Sequence, residues 1–106
     1  MVTVEHSINR SDVKDFENVM KGVRRIRLQD GATHWWLFQD TTQPGRYVET
    51  FIVKSWAEHM RQHERMTVAD FEVEQRARSY HNGGTPLIIS HLIDVYSYSN
   101  NKRKSA

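Results

Sequence analysis

A chain of 106 residues holds one domain and one core, not two. With 38% hydrophobic residues, no long apolar run and an N-terminal MVTVEHSINR without a basic start or apolar h-region, neither membrane insertion nor a secretory signal is expected, and the cytoplasm is the expected location. Zero cysteines exclude disulfides and thiolate metal sites, and the net charge of +2, with its basic residues gathered in KGVRRIR (Lys21–Arg27) and the terminal NNKRKSA, comes with no base-stacking motif, so no nucleic acid partner is expected.

Val2, Val4, His6 and Ile8 alternate with Thr3, Glu5 and Ser7, the period of a half-buried strand. Ser11 or Asp12 can cap the helix that follows, in which Val13, Phe16, Met20 and Val23 fall on one stripe at i, i+3, i+7 and i+10. Gly31 is the natural stop. ATHWWLFQD and RYVETFIVKSW then read as two strands joined through the turn-forming TTQPG. Ser55 and Glu58 have capping-box spacing, and Thr67 and Asp70 repeat it. Two helical pieces are therefore expected, about residues 55–65 and 67–81, with a break near Met66. HNGGTP is a loop, and LIISHLIDVYSY, apolar on both faces, reads as a strand covered on two sides.

The order β-α-β-β-α-β is the split βαβ, ferredoxin-like arrangement, an antiparallel four-stranded sheet with both helices on one face. Residues 1–98 are expected to form this α+β domain, and 99–106 a basic disordered tail. The other sheet face stays bare. In the second strand Thr33, Trp35, Leu37 and Gln39 alternate with Ala32, His34, Trp36 and Phe38, so no register hides every aromatic ring behind the helices. A second copy is the simplest cover, and a homodimer packed sheet to sheet is expected.

The run RRIRLQDGATHWWLFQD, the run PGRYVETFIVKSWAEHMRQHERMTVAD and YHNGGTPLIISHLI together resemble the C-terminal soluble region of bacterial major-facilitator exporters of the transmembrane secretion effector type, over roughly residues 2–94. More loosely, GA before an aromatic strand, the LF.D motif, the Pro-Gly turn, and Trp56 followed by His63 are similar to the antibiotic biosynthesis monooxygenase-like domains. The first resemblance implies a free-standing relative of an exporter domain and a functional link to an exporter. The second implies a dimeric α/β barrel with a cavity between sheet and helices in each subunit, in which some relatives oxidise quinols or aromatic polyketides with dioxygen and neither metal nor flavin. Haem-degrading relatives use an asparagine, a tryptophan and a histidine in concert; no counterpart of that trio stands at matching positions here, and no cofactor is expected.

His59 and His63, one helical turn apart, could hold a metal if Glu64, His81 or His91 supplied a third ligand, but EHMRQHER is polar nearly all round, and a metal is not expected. As acid or base, His63 by its place in the monooxygenase-like pattern and His59 beside it are the catalytic candidates. Trp35, Trp36 and Trp56 could stack on a flat ligand, with His34 beside Trp36; core and dimer interface compete for the same rings. Glu49, if it points inward, needs Arg24, Arg25 or a histidine as partner, and Arg46 after Pro-Gly should be exposed. With no activated nucleophile, phosphate loop or paired carboxylates, two functions remain. One is a binding or accessory domain for a small hydrophobic or aromatic metabolite; the other is a cofactor-independent monooxygenase acting on a quinol or aromatic polyketide.

Overall fold

The computed structural model describes residues 1–96, with the side chain of His63 left out of the description. Its elements are β1 (Val2–Ser7), a 3-10 turn (Arg10–Asp12), α1 (Val13–Gln29), β2 (Ala32–Gln39), β3 (Arg46–Val53), α2 (Trp56–Glu64), α3 (Val68–Ser79) and β4 (Ile88–His91). The strands form one antiparallel sheet in the order β2-β3-β1-β4, with the helices on one side, so the expected α+β ferredoxin-like fold is the one observed. The expected tail at 99–106 lies outside the described residues.

Local chemistry accounts for most boundaries. On α1 the stripe Phe16, Met20, Val23 and Ile26 is buried at helical spacing. The helix ends where Asp30 N–H donates to Ile26 O and Gly31 takes a φ of 103°, a conformation that side chains disfavour. Neither candidate cap works as expected: Asp12 is the N-cap of α1, yet its side chain accepts no bond from the helix. The later caps do form, Ser55 Oγ accepting from Glu58 N–H at 3.3 Å and Thr67 Oγ1 from Asp70 N–H at 3.1 Å, and they separate α2 from α3. In the β2–β3 loop, Asp40 accepts from Thr42 N–H (2.8 Å) and Gln43 N–H (3.0 Å), bonds that hold its carboxyl down at about 2.

Four expectations need correction. A bulge between Ala32 and His34 breaks the alternation of β2, so Ala32 is buried while His34 faces away from the helices. β4 is only four residues long and lies at the sheet edge, paired to β1 alone; Ile88 and Ile89 remain 49% and 44% exposed rather than covered on two sides. Arg46 is half-buried, clamped between Glu5 and Asp40, the latter at 3.1 Å. Glu49 does point inward, but its partner is Arg27.

That last pair organises the interior. Arg27 Nε donates to Glu49 Oε2 at 3.0 Å, Trp35 Nε1 donates to the same oxygen at 2.9 Å, and the Arg27 guanidinium also bonds Glu74 on α3. Glu49 and Glu74 are buried. Burial opposes the charge on Arg27, but the two carboxylates outweigh it and raise its pKa. Removing one member of a buried ionic cluster strands the others. Arg27→Leu is therefore expected to lower stability by about 3–5 kcal/mol, read as a fall in the urea midpoint; a loss within about 0.5 kcal/mol, the usual range for a surface substitution, would contradict the role given to Arg27.

Candidate functional site

Between the helix-facing side of the sheet and α2 lies a hollow of about 290 Å³. Its floor is Val2 and Val4 of β1, Phe51 of β3 and Ile89 of β4; Trp56, His59 and Met60 of α2 form the roof, and Arg27, Arg78 and His91 complete the wall. The aromatic groups are in mutual contact: Trp56 lies 4.6 Å from the His91 ring and 5.4 Å from His59, and His59 lies 5.8 Å from Phe51. No carboxylate belongs to the wall. Arg78 has no ion-pair partner among the described residues, although it shares the small cavity next to the hollow with Glu49 and Glu74.

The structure separates the residues picked from sequence. Trp56 and His59 meet in the hollow. His63 belongs to α2, but its side chain is outside the described set. Trp35, Trp36 and His34 do not reach the hollow. Trp35 points under the helices, half-buried, its indole N–H bonded to Glu49. His34 and Trp36 stand on the open face of the sheet, where His34, Trp36 and Phe38 stack in a row with ring centroids 5.5 and 6.2 Å apart. Of the possible third metal ligands, His81 is bound elsewhere. Its Nδ1 accepts from Ser7 N–H at 2.9 Å and its Nε2–H donates to Thr85 O at 2.7 Å, partners that fix one neutral tautomer. Among the described residues no group of three or more His, Asp or Glu could hold a metal.

Sequence reasoning missed Arg27 and Arg78 as wall residues, named His91 only as a possible third metal ligand, and gave His6 only a place in the strand pattern. His6 is 3% exposed, and neither ring nitrogen has a hydrogen-bond partner. It borders a water-sized cavity of about 10 Å³ that also touches Arg27, Glu49, Glu74 and Arg78, and so adjoins the hollow through Arg27 and Arg78. Burial, only partly offset by the attraction of Glu49, pushes the His6 pKa down to about 4. The alternation with Val2 and Val4 was the available signal that this imidazole faces inward.

The family model described as transmembrane secretion effector matches residues 1–99. The chain belongs to this family. No curated protein matches it. Among solved structures, a provisionally named antibiotic biosynthesis monooxygenase of Bordetella bronchiseptica aligns with a TM-score of 0.70 at 19% identity, covering 89% of this chain and 94% of that one. A conserved protein of Methanosarcina mazei aligns at 0.68 and 17%, covering 87% and 90%. A provisionally named antibiotic biosynthesis monooxygenase of Nitrosomonas europaea aligns at 0.64 and 13%, covering 88% and 97%. At such identities the likeness is one of fold. Although the family name is that of a transmembrane protein, no helix among the described residues of this member is long and apolar enough to cross a membrane.

The state of His6 gives a pH prediction with a definite sign. Its folded pKa lies below the ordinary value of 6.5, so well above pH 6.5 the ring is neutral in both states and its titration leaves stability unchanged. As pH falls from 6.5 toward 4 the unfolded chain takes up a proton that the folded one refuses, and stability drops. Against His6→Leu, which cannot titrate, the parent protein should lose about 3 kcal/mol of relative stability between pH 7 and 4, measured by denaturant unfolding at each pH. Parallel pH profiles for the two proteins would show that His6 titrates normally.

Proposed function

We propose that this domain binds a small, flat, apolar or aromatic metabolite carrying an acidic group, in the hollow under α2, without turning it over. The observation that carries this reading is the wall itself, in which an indole, a phenyl ring and two imidazoles adjoin an unpaired guanidinium and no acid. An aromatic body gains from ring contact and burial, and a carboxylate or phenolate gains from Arg78. At about 290 Å³ the hollow sits at the small end of the ~300–1,000 Å³ range of small-molecule sites, which favours a compact ligand. Membership in the transmembrane secretion effector family supports a functional link to an exporter, and we place the domain in the cytoplasm.

A second reading keeps the same hollow and adds chemistry: a cofactor-independent monooxygenase in which His59 or His63 moves the proton of a bound quinol or aromatic polyketide. It is supported by the contact of His59 with Trp56 and by the fold shared with provisionally named monooxygenases. One experiment separates the two. Under air, 1,4-dihydroxynaphthalene should bind with quenching of tryptophan fluorescence, and Trp56→Ala should weaken it about tenfold, the factor equivalent to ~1.4 kcal/mol. The binding reading expects no dioxygen uptake above the buffer rate. Uptake that disappears in His59→Ala or His63→Ala would replace it with the enzyme, and binding unchanged by Trp56→Ala would remove the hollow from both.

The open sheet face supports a homodimer packed through β2 and its neighbours. Trp36, Phe38 and Ile88 present large apolar groups there at 39%, 51% and 49% exposure, in a surface with no cover from the described chain. Trp36→Asp is expected to convert a dimer to a folded monomer in sedimentation velocity. A parent protein that is monomeric at micromolar concentration would rule this out.

A further inference from the structure

We propose that a second cavity, at the end of the sheet where β1 meets the 3-10 turn and the β2–β3 loop, is a binding site for a small organic anion. This cavity, of about 690 Å³, shares no wall residue with the hollow under α2. Arg10 and Lys14 stand on its wall four residues apart, and neither has an ion-pair partner among the described residues. No aspartate or glutamate belongs to the wall, so the two cations meet no internal counter-charge there.

The independent observation is Tyr47. The residue is 3% exposed and packs on Phe16 at 5.5 Å, yet its hydroxyl makes no hydrogen bond among the described residues. That hydroxyl is also absent from the sealed polar atoms of the core, which are the two His6 nitrogens, and Tyr47 is one of the residues that line the cavity. Burial and the nearby Glu17 raise the Tyr47 pKa and keep the phenol protonated, a donor in need of an acceptor. At the start of the helix, neither Asn9, ahead of the 3-10 turn, nor Asp12, ahead of α1, caps it with its side chain. The 3-10 turn bonds the Asp12 N–H to Asn9 O through the backbone, so the positive charge on the wall is that of the Arg10 and Lys14 side chains. Two free cations and the residue of the unbonded phenol border the same cavity as Ile8, Val13 and Pro44, which suit a short apolar body. A carboxylate on a compact organic molecule satisfies all of them, with the anion toward Arg10 and Lys14 and an acceptor atom within reach of Tyr47.

The test is a titration of the ¹⁵N-labelled full chain with benzoate and, separately, with its uncharged amide, benzamide. Benzoate is expected to shift the backbone amide signals of Asn9, Arg10, Lys14 and Asn82 in the parent protein and equally in Trp56→Ala, which removes the indole of the hollow, while benzamide shifts none of these four. Arg10→Gln with Lys14→Gln should weaken benzoate at least about tenfold. Because both side chains are exposed and unpaired, this variant keeps the fold. Tyr47→Phe, which retains the ring packing, should weaken it several-fold. The proposal is overturned by an equal response of these four signals to benzamide, by benzoate shifts at them that survive the double substitution, by shifts confined to the hollow, or by no shift at all.

Discussion

A guanidinium buried between two carboxylates is the constraint on which the rest of this domain depends. Arg27 comes from α1, Glu49 from β3 and Glu74 from α3, so one side chain ties two helices to the sheet at a point where apolar packing alone would leave them free to slide. Its geometry is over-determined: the Trp35 indole N–H holds Glu49, and the Arg27 guanidinium carbon lies 4.9 Å from the Phe51 ring centroid. Two negative charges and one positive in a buried place are expensive to desolvate, and the arrangement persists only because hydrogen bonds satisfy the charges together. Such a cluster specifies register more than it adds stability, because any sliding of α1 or α3 breaks directional contacts, whereas displaced aliphatic groups find new neighbours.

The cluster also divides the space under the helices. On one side Phe16, Met20, Val23, Tyr47 and Ala77 close into an apolar core. On the other, Arg27 becomes part of the wall of the hollow, and the covering helix changes character: none of the described residues of α2 is buried, although Trp56 and Met60 face Phe51 and Ile89 across the gap. Floor and roof of the candidate site therefore differ in rigidity. The floor is a hydrogen-bonded sheet backed by the ionic cluster, while the roof is a nine-residue helix, too short to be stable by propensity alone and held by few contacts.

Much of this was legible from the chain. Alternation in β1 placed Val2, Val4 and His6 on one face, the caps at Ser55 and Thr67 fixed two helix starts, and aromatic residues on both sides of β2 required an open face. The position of Arg27 was legible too, had the stripe been followed one step further: 13, 16, 20 and 23 continue at helical spacing to 27, so the last arginine of RRIR falls on the buried side while Arg24 and Arg25 fall outside it. Composition concealed this, because a basic run suggests a solvated face wherever the period is not carried through it. The bulge at Ala32–His34 and the exposure of β4 were not legible, since both depend on how neighbouring strands align and where the chain leaves the sheet rather than on local residue preference. The site was split by the same limit: Trp35, Trp36 and Trp56 look alike in sequence, and only tertiary placement sends one to the core, one to the open face and one to the hollow.

The energetics of the hollow follow from that asymmetry. Trp56 is 49% exposed and Met60 39%, so the roof has apolar surface still to bury, whereas on the floor only Ile89, at 44%, does. At about 25 cal/mol per Å² removed from water, an occupant that touches both contributes twice, through its own burial and through that of the roof it completes. Ordering a loosely held helix costs free energy, and binding has to cover that cost from the same contacts. A ligand too thin to bridge floor and roof would meet the cost without the second gain. On the proposed binding reading, the contiguous rings of Trp56, His59 and His91 favour a flat body and Arg78 favours one with an acidic edge, so shape and charge act on different atoms of one occupant.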